Sequence, residues 1–164
     1  MKNKEIKEEL SLSIRSFIEA KEQSQQESID EFDELRILET AFNRLFIAIE
    51  HLCNAILLLE KGNFSKKHFG DITKLRELKE KYTIDLANTY QTTYTFRSYA
   101  DYRKHPEIAE NFNRSERELL ITWLLPCYGF LLHRQLLLML NRGVILHIGS
   151  FQTNKFIFYV YGRV

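Results

Sequence analysis

Apolar residues recur along the first hundred positions at the spacing of helices buried on one side. Between Lys4 and about Gln25, the residues Ile6, Leu10, Ile14, Phe17 and Ile18 form a stripe, and charged or polar residues fill the opposite face. This predicts an amphipathic helix, followed by the polar joint Ser24-Gln25-Gln26-Glu27. Ser28-Ile29-Asp30-Glu31 then matches a capping box, with Ser28 at the cap and Glu31 three residues on. The helix it opens runs to Lys61 without Gly or Pro. Leu35, Leu38, Phe42, Leu45, Phe46, Ile49, Leu52, Cys53, Ile56 and Leu59 make its apolar stripe. From Leu45 to Leu59 it is apolar nearly all round, which predicts a central helix packed on more than one side. Gly62-Asn63 supplies its stop.

Lys66 to Tyr82 reads as a shorter helix, with Phe69, Ile72, Leu75 and Leu78 inward. Ile84 to about Lys104 reads as another, rich in Tyr and Thr. His105-Pro106 interrupts it, because the residue before proline is pushed out of the helical region. Ser115-Glu116-Arg117-Glu118 is a second capping box and opens a further helix. The expected fold class is therefore all-α, an antiparallel bundle of four to five helices joined by short loops. Beyond Gly143, Val144–Ile148 and Phe156–Tyr161 flank Gly149–Asn154 in the manner of a β-hairpin.

Composition changes this picture at one place. The 22 acidic residues all lie before residue 119, and only four basic residues follow it. The boundary divides the chain into residues 1–118, expected to form the helix bundle, and an apolar tail, 119–164. Leu119–Leu140 is strongly apolar but contains Pro126, Gly129 and His133-Arg134-Gln135. Three readings of the tail stand open. A transmembrane helix has almost the required length, but proline, arginine and histidine lie within it. A buried last helix with a packed hairpin is the second. The third is a shifted reading frame, which the abrupt loss of carboxylates favours. A charged amphipathic continuation in another frame of the DNA past codon 118 supports that third reading, and its absence sinks it.

The formal net charge of +1 gives no electrostatic footprint for wholesale binding of nucleic acid or membrane, though a local basic groove is compatible with it. Cys53 and Cys127 stand alone, so neither a metal site nor a disulfide framework is expected, and a reducing cytosol suits the chain. The charged opening Met1-Lys2-Asn3-Lys4-Glu5 lacks the apolar core of a signal peptide. A cytoplasmic protein with no membrane partner and no cofactor is the expectation.

Three stretches, in this order and spacing, resemble HEPN-domain proteins across roughly residues 5–118. Ala41-Phe42-Asn43-Arg44-Leu45-Phe46-Ile47-Ala48, running through Ala55-Ile56-Leu57-Leu58-Leu59-Glu60-Lys61-Gly62, resembles the family's hydrophobic helix before a short loop. Ser65-Lys66-Lys67-His68-Phe69-Gly70 is similar to a Lys-Lys-His-Gly type turn of one branch. Phe96-Arg97-Ser98-Tyr99-Ala100-Asp101-Tyr102 resembles that branch's Arg-x-x-x-Asp-Tyr element near the end of a helix. The resemblance implies an antiparallel, usually dimeric helix bundle. It further implies either a metal-independent ribonuclease, typically a toxin held in check by a minimal nucleotidyltransferase (MNT), or a non-catalytic module that binds such a partner or a nucleotide. The family's usual signature is an arginine followed four to six residues later by histidine, contributed by both subunits. Here His105 lies eight positions after Arg97, and Tyr102 stands five positions after it.

Cleavage that uses the RNA 2′-OH as nucleophile needs a cation for the phosphorane oxygens and a carrier for a proton. On the resemblance, Arg97 takes the first task, since guanidinium forks onto phosphate oxygens in bidentate fashion. Asp101, at i+4 on the same helix face, would orient Arg97 or accept a proton. Tyr102 would donate a hydrogen bond or stack on a base, although a tyrosine with its ordinary pKa of about 10 is a poor general base. His68, Arg103 and Lys104 are the candidate RNA-binding residues. The competing structural reading has Arg97 and Asp101 as an ion pair and Tyr102 packed in the bundle. His68 in that reading caps or packs locally. His51, inside an apolar helix with Ile47 four residues before it, reads as a satisfied core or interface histidine. The series Tyr82, Tyr90, Tyr94, Tyr99 and Tyr102 reads as part core and part dimer face, with base stacking as the alternative.

Overall fold

A computed structural model describes residues 2–82, 85–102, 152–153 and 156–157. The described part is mainly helical, as the periodicity predicts. Helix α1 spans Lys2–Ser24, α2 Glu31–Lys61, α3 Ile72–Glu77, α4 Lys79–Tyr82 and α5 Leu86–Tyr102. Two short strands, β1 (Gln152–Thr153) and β2 (Phe156–Ile157), pair antiparallel. The helix expected from Ser115, and most of the tail whose three readings were open, lie outside the described residues.

Helix α2 is the axis of the fold. Along one side it meets α1 head to tail: Lys2 lies opposite Leu59, Ser13 donates to the Ala48 carbonyl at 2.7 Å, and Arg44 pairs with Glu19. Along another it meets α5 in the same antiparallel sense, Phe42 facing Phe96 and Glu50 facing Tyr90. Leu38, Leu45, Phe46, Leu52, Ala55 and Ile56 are almost wholly buried between these partners. A stripe that is apolar all round needs neighbours on more than one face, and α1 and α5 supply them. By length and composition Phe32–Lys61 is apolar enough to cross a membrane, but most of its most apolar 18-residue window is buried inside the fold.

The ends of α2 show where sequence and structure part. Its N-cap is Asp30, not Ser28: Asp30 Oδ1 accepts from the Asp33 amide at 2.8 Å, and Asp33 Oδ2 reaches back to the Ile29 amide at 3.2 Å. The reciprocal logic of the capping box is kept, but two residues later and with two aspartates. At the other end Gly62 takes φ 83 and donates to the carbonyls of Leu57 and Leu58, a left-handed stop that glycine adopts without a side-chain penalty.

The helix expected over Lys66–Tyr82 is shorter and divided. Residues 63–71 form a turn-rich loop, and only Ile72–Glu77 and Lys79–Tyr82 are helical. The break has a backbone cause. Phe69 adopts φ 61, and a left-handed residue cannot continue a right-handed helix. Phe69, Leu75 and Leu78 nevertheless pack inward as their spacing suggested. The hairpin also shifts. Gln152 pairs with Ile157 and Thr153 with Phe156, so β1 falls within the segment expected to turn.

Candidate functional site

The face of α2 that meets α5 carries Phe42, Phe46 and Glu50, each one turn from the next. Opposite them α5 presents Tyr90, Tyr94 and Arg97, spaced i, i+4 and i+7. The loop between α2 and α3 closes one end of this seam with His68 and Phe69. The rings interlock. Phe46 lies 5.4 Å from Tyr90 and 5.5 Å from Tyr94 between centroids, and Phe69 meets Tyr90 at 5.2 Å and Tyr94 at 4.5 Å, edge to face. Edge-to-face contact brings the positive rim of one ring to the negative face of the next.

Two cationic or basic groups share the Phe46 ring. The Arg97 guanidinium carbon stands over it, 4.9 Å from its centroid, and the His68 ring meets it at 5.8 Å. Such a cation–π seat holds a guanidinium against an apolar surface. Arg97 is half-buried, whereas His68 is half-exposed.

Glu50 anchors the polar side of the cluster. Its Oε1 accepts from the Tyr90 hydroxyl at 2.9 Å and lies 2.6 Å from His68 Nδ1. A carboxylate accepts, so this contact calls for a proton on His68 Nδ1 and turns Nε2 to the ring edge away from Glu50. Burial first, and then the neighbouring Glu50 carboxylate, push the Tyr90 hydroxyl well above the usual tyrosine range. Tyr90 is therefore a fixed donor rather than a proton carrier. One turn further along α2, burial pushes the Cys53 thiol up to about 12, which removes it as a nucleophile.

Local contacts hold the loop that carries His68. The buried Asp71 carboxylate accepts from the Ser65 amide and pairs with Lys74 at 2.6 Å. Ser65 Oγ accepts from the Lys67 amide at 3.1 Å, and the Gly70 amide donates to the Lys67 carbonyl at 2.9 Å. Side-chain space at Gly70 is already taken by Ser65. Beneath the loop is a half-open crevice of about 290 Å³, open mouth included, lined by Glu50, Asn54, Ser65, Lys67 and Asp71 among others.

The sequence-predicted residues fall unevenly. Arg97 and His68 come together on one ring. His68 sits in the turn before α3 instead of at a helix start, because the left-handed Phe69 delays that helix. Asp101 and Tyr102 form the last turn of α5, one turn beyond Arg97, and their side chains lie outside the described residues. Arg103 and Lys104, expected within the helix, lie outside them entirely. His51 is satisfied on the far side of α2: its Nδ1 lies 2.7 Å from Glu9 Oε2, which also accepts from Asn54 at 3.1 Å. Tyr82 and Tyr90 belong to the core. Among the described residues no group of three or more His, Cys, Asp or Glu side chains is arranged to hold a metal ion.

Sequence reading missed Glu50, and it named Tyr90 and Phe46 without the roles of hydrogen-bond donor and ring platform that they take here. One signal was present: Glu50 is the lone carboxylate between Leu45 and Leu59, in a stretch otherwise apolar nearly all round. A charge placed there needs a partner, and the partners come from residues 18 and 40 positions away. The chain matches no family model, no curated protein and no solved structure, so the chemistry of this cluster rests on its own residues.

Proposed function

We propose that this protein is a metal-independent ribonuclease of the HEPN type, the toxin of a HEPN/MNT pair, working as a cytoplasmic homodimer. The observation that carries the reading is the seat of Arg97. A guanidinium held over Phe46, beside an imidazole on the same ring, joins the residues of all three HEPN-resembling stretches in one patch. Arg97 then binds the scissile phosphate and stabilises charge on its equatorial oxygens. Asp101, one turn along the helix, orients Arg97, and Tyr102 assists by hydrogen bonding or stacking. Arg103 and Lys104 follow directly in sequence and extend positive charge along the RNA backbone.

The test is cleavage of single-stranded RNA by the purified protein in EDTA, wild type beside Arg97→Ala. Cleavage that persists in EDTA and falls by about 10²–10³-fold in the variant supports the reading, the scale lost when one preorganised donor to a developing oxyanion is removed. Equal cleavage by both proteins overturns the role of Arg97.

One observation favours a second reading. Tyr102 stands where the family's signature has histidine. In that reading the same surface binds an MNT partner or a nucleotide without chemistry. A stable complex with an MNT protein, together with no RNA turnover by the free protein, selects it.

A further inference from the structure

The α5 helix lacks the histidine that would follow Arg97, yet an imidazole reaches the same ring from another element. We infer that His68, oriented by Glu50, is the proton carrier of this site, a catalytic residue supplied by the α2–α3 loop. The inference rests on the ribonuclease reading and deepens it.

Four observations converge. His68 and Arg97 both pack on Phe46, which places an imidazole and a guanidinium against one ring. The Nδ1 edge lies 2.6 Å from Glu50 Oε1, a contact that suits an Nδ1–H donor and leaves Nε2 on the opposite ring edge. The His68 side chain is 50% exposed, so that nitrogen is accessible to a strand lying across the seam. The backbone beside it is left-handed at a bulky residue, Phe69, whose ring is clamped by Tyr90 and Tyr94. Backbone in a sparsely populated region, held by surrounding contacts, is characteristic of functional positions.

The chemistry balances with one carrier. His68 Nε2 takes the proton of the 2′-OH as O2′ attacks phosphorus. The bond from phosphorus to O5′ breaks, and the imidazolium returns the proton to O5′ directly or through one water. The products are a 2′,3′-cyclic phosphate and a 5′-hydroxyl. Arg97 faces the phosphoryl oxygens throughout. Glu50 is a positioning residue: it touches His68 and Tyr90, not substrate. The groups packed around the imidazole are Glu50 and Phe46 from α2 and Tyr94 from α5, the last at 6.1 Å between ring centroids, and Arg97 shares the Phe46 ring. Lys67 precedes it in the loop.

The experiment compares pH profiles of RNA cleavage for the wild type, His68→Ala, His68→Asn, Glu50→Gln and Arg97→Ala, with RNA binding and thermal melting measured on each. Asparagine can keep a hydrogen bond to Glu50 but has no titratable nitrogen. The expected result is that both His68 variants lose about 10²–10⁴-fold in kcat and one limb of the wild-type pH profile, while RNA affinity stays within a few-fold. Glu50→Gln loses less and keeps the limb. If His68→Asn retains the wild-type rate and profile while Arg97→Ala is inactive, His68 is structural and this inference falls, with the ribonuclease reading intact. If the folded wild type does not cleave RNA, both fall together.

Discussion

Glu50 shows how one residue in an apolar helix sets the character of its surroundings. Its Oε1 receives hydrogen bonds from Tyr90 and His68, so removing it leaves a buried tyrosine hydroxyl without its acceptor. Glu50→Ala is expected to cost about 1–3 kcal/mol, whereas Tyr90→Phe, which leaves Glu50 its bond to His68, is expected to cost about 1 kcal/mol. Urea denaturation of both variants checks the order. The same burial makes the protein sensitive to alkali. Cys53 and Tyr90 have ordinary values of 9.0 and 10.0, and both are raised in the folded state. The folded chain thus keeps protons that the unfolded chain releases above those values. Stability is fully present below about pH 9 and declines as pH rises further. Unfolding free energy measured at pH 7 and pH 10.5 should be lower at the second, with a smaller difference in Tyr90→Phe. Cys53 should also resist alkylation at pH 8 in the folded protein and react once it is unfolded, as read by mass spectrometry of the peptide that contains it.

At the scale of the element, caps decide where α2 begins and ends. Asp30 and Asp33 exchange hydrogen bonds with the first turn, and Ser28 lies two residues outside it. Asp30→Ala should therefore cost about 1 kcal/mol, and Ser28→Ala should stay within about 0.5 kcal/mol of the parent. The reverse order, in thermal or urea denaturation, would restore the cap that the sequence suggested. Gly62→Ala should cost about 1–2 kcal/mol, because alanine at φ 83 meets its own carbonyl. Asp33, Glu77 and Asp85 are each held below the usual carboxylate range by a hydrogen-bonded side chain first, Arg36, Lys61 and Lys79 respectively. Their contribution is present at neutral pH and is lost as pH falls below about 4. All three are at the surface, where salt screens such pairs.

Across the whole molecule, α2 mediates between two partners that are chemically distinct. Toward α1 it presents His51 and Asn54 to Glu9, and toward α5 it presents Phe46 and Glu50 to tyrosines and Arg97. Adjacent residues Glu50 and His51 therefore serve different faces. Phe46 is the residue on which packing and the candidate site both depend. Phe46→Ala should destabilise by about 3–5 kcal/mol and also remove the ring beneath Arg97 and His68. Phe46→Leu keeps most of the volume without the π-face. It should therefore separate the two effects, losing RNA cleavage out of proportion to stability.

The sequence by itself determined the helical class, the extent of α1, α2 and most of α5, and the main buried stripes of α1 and α2. Period-3.6 spacing and the scarcity of Gly and Pro act locally, so a single chain carries them in full. It also brought Arg97 and His68 forward as candidates by residue type. Three features needed the tertiary structure. The cap moved to Asp30 because two side chains there could reach two amides. The helix after α2 was delayed because Phe69 gave up helical backbone to place its ring between Tyr90 and Tyr94. The Glu50, His68 and Arg97 cluster exists only because α5 packs antiparallel on α2 and the loop folds over their seam. Spacing along the chain cannot register such a contact, since the residues that make it come from three separate elements.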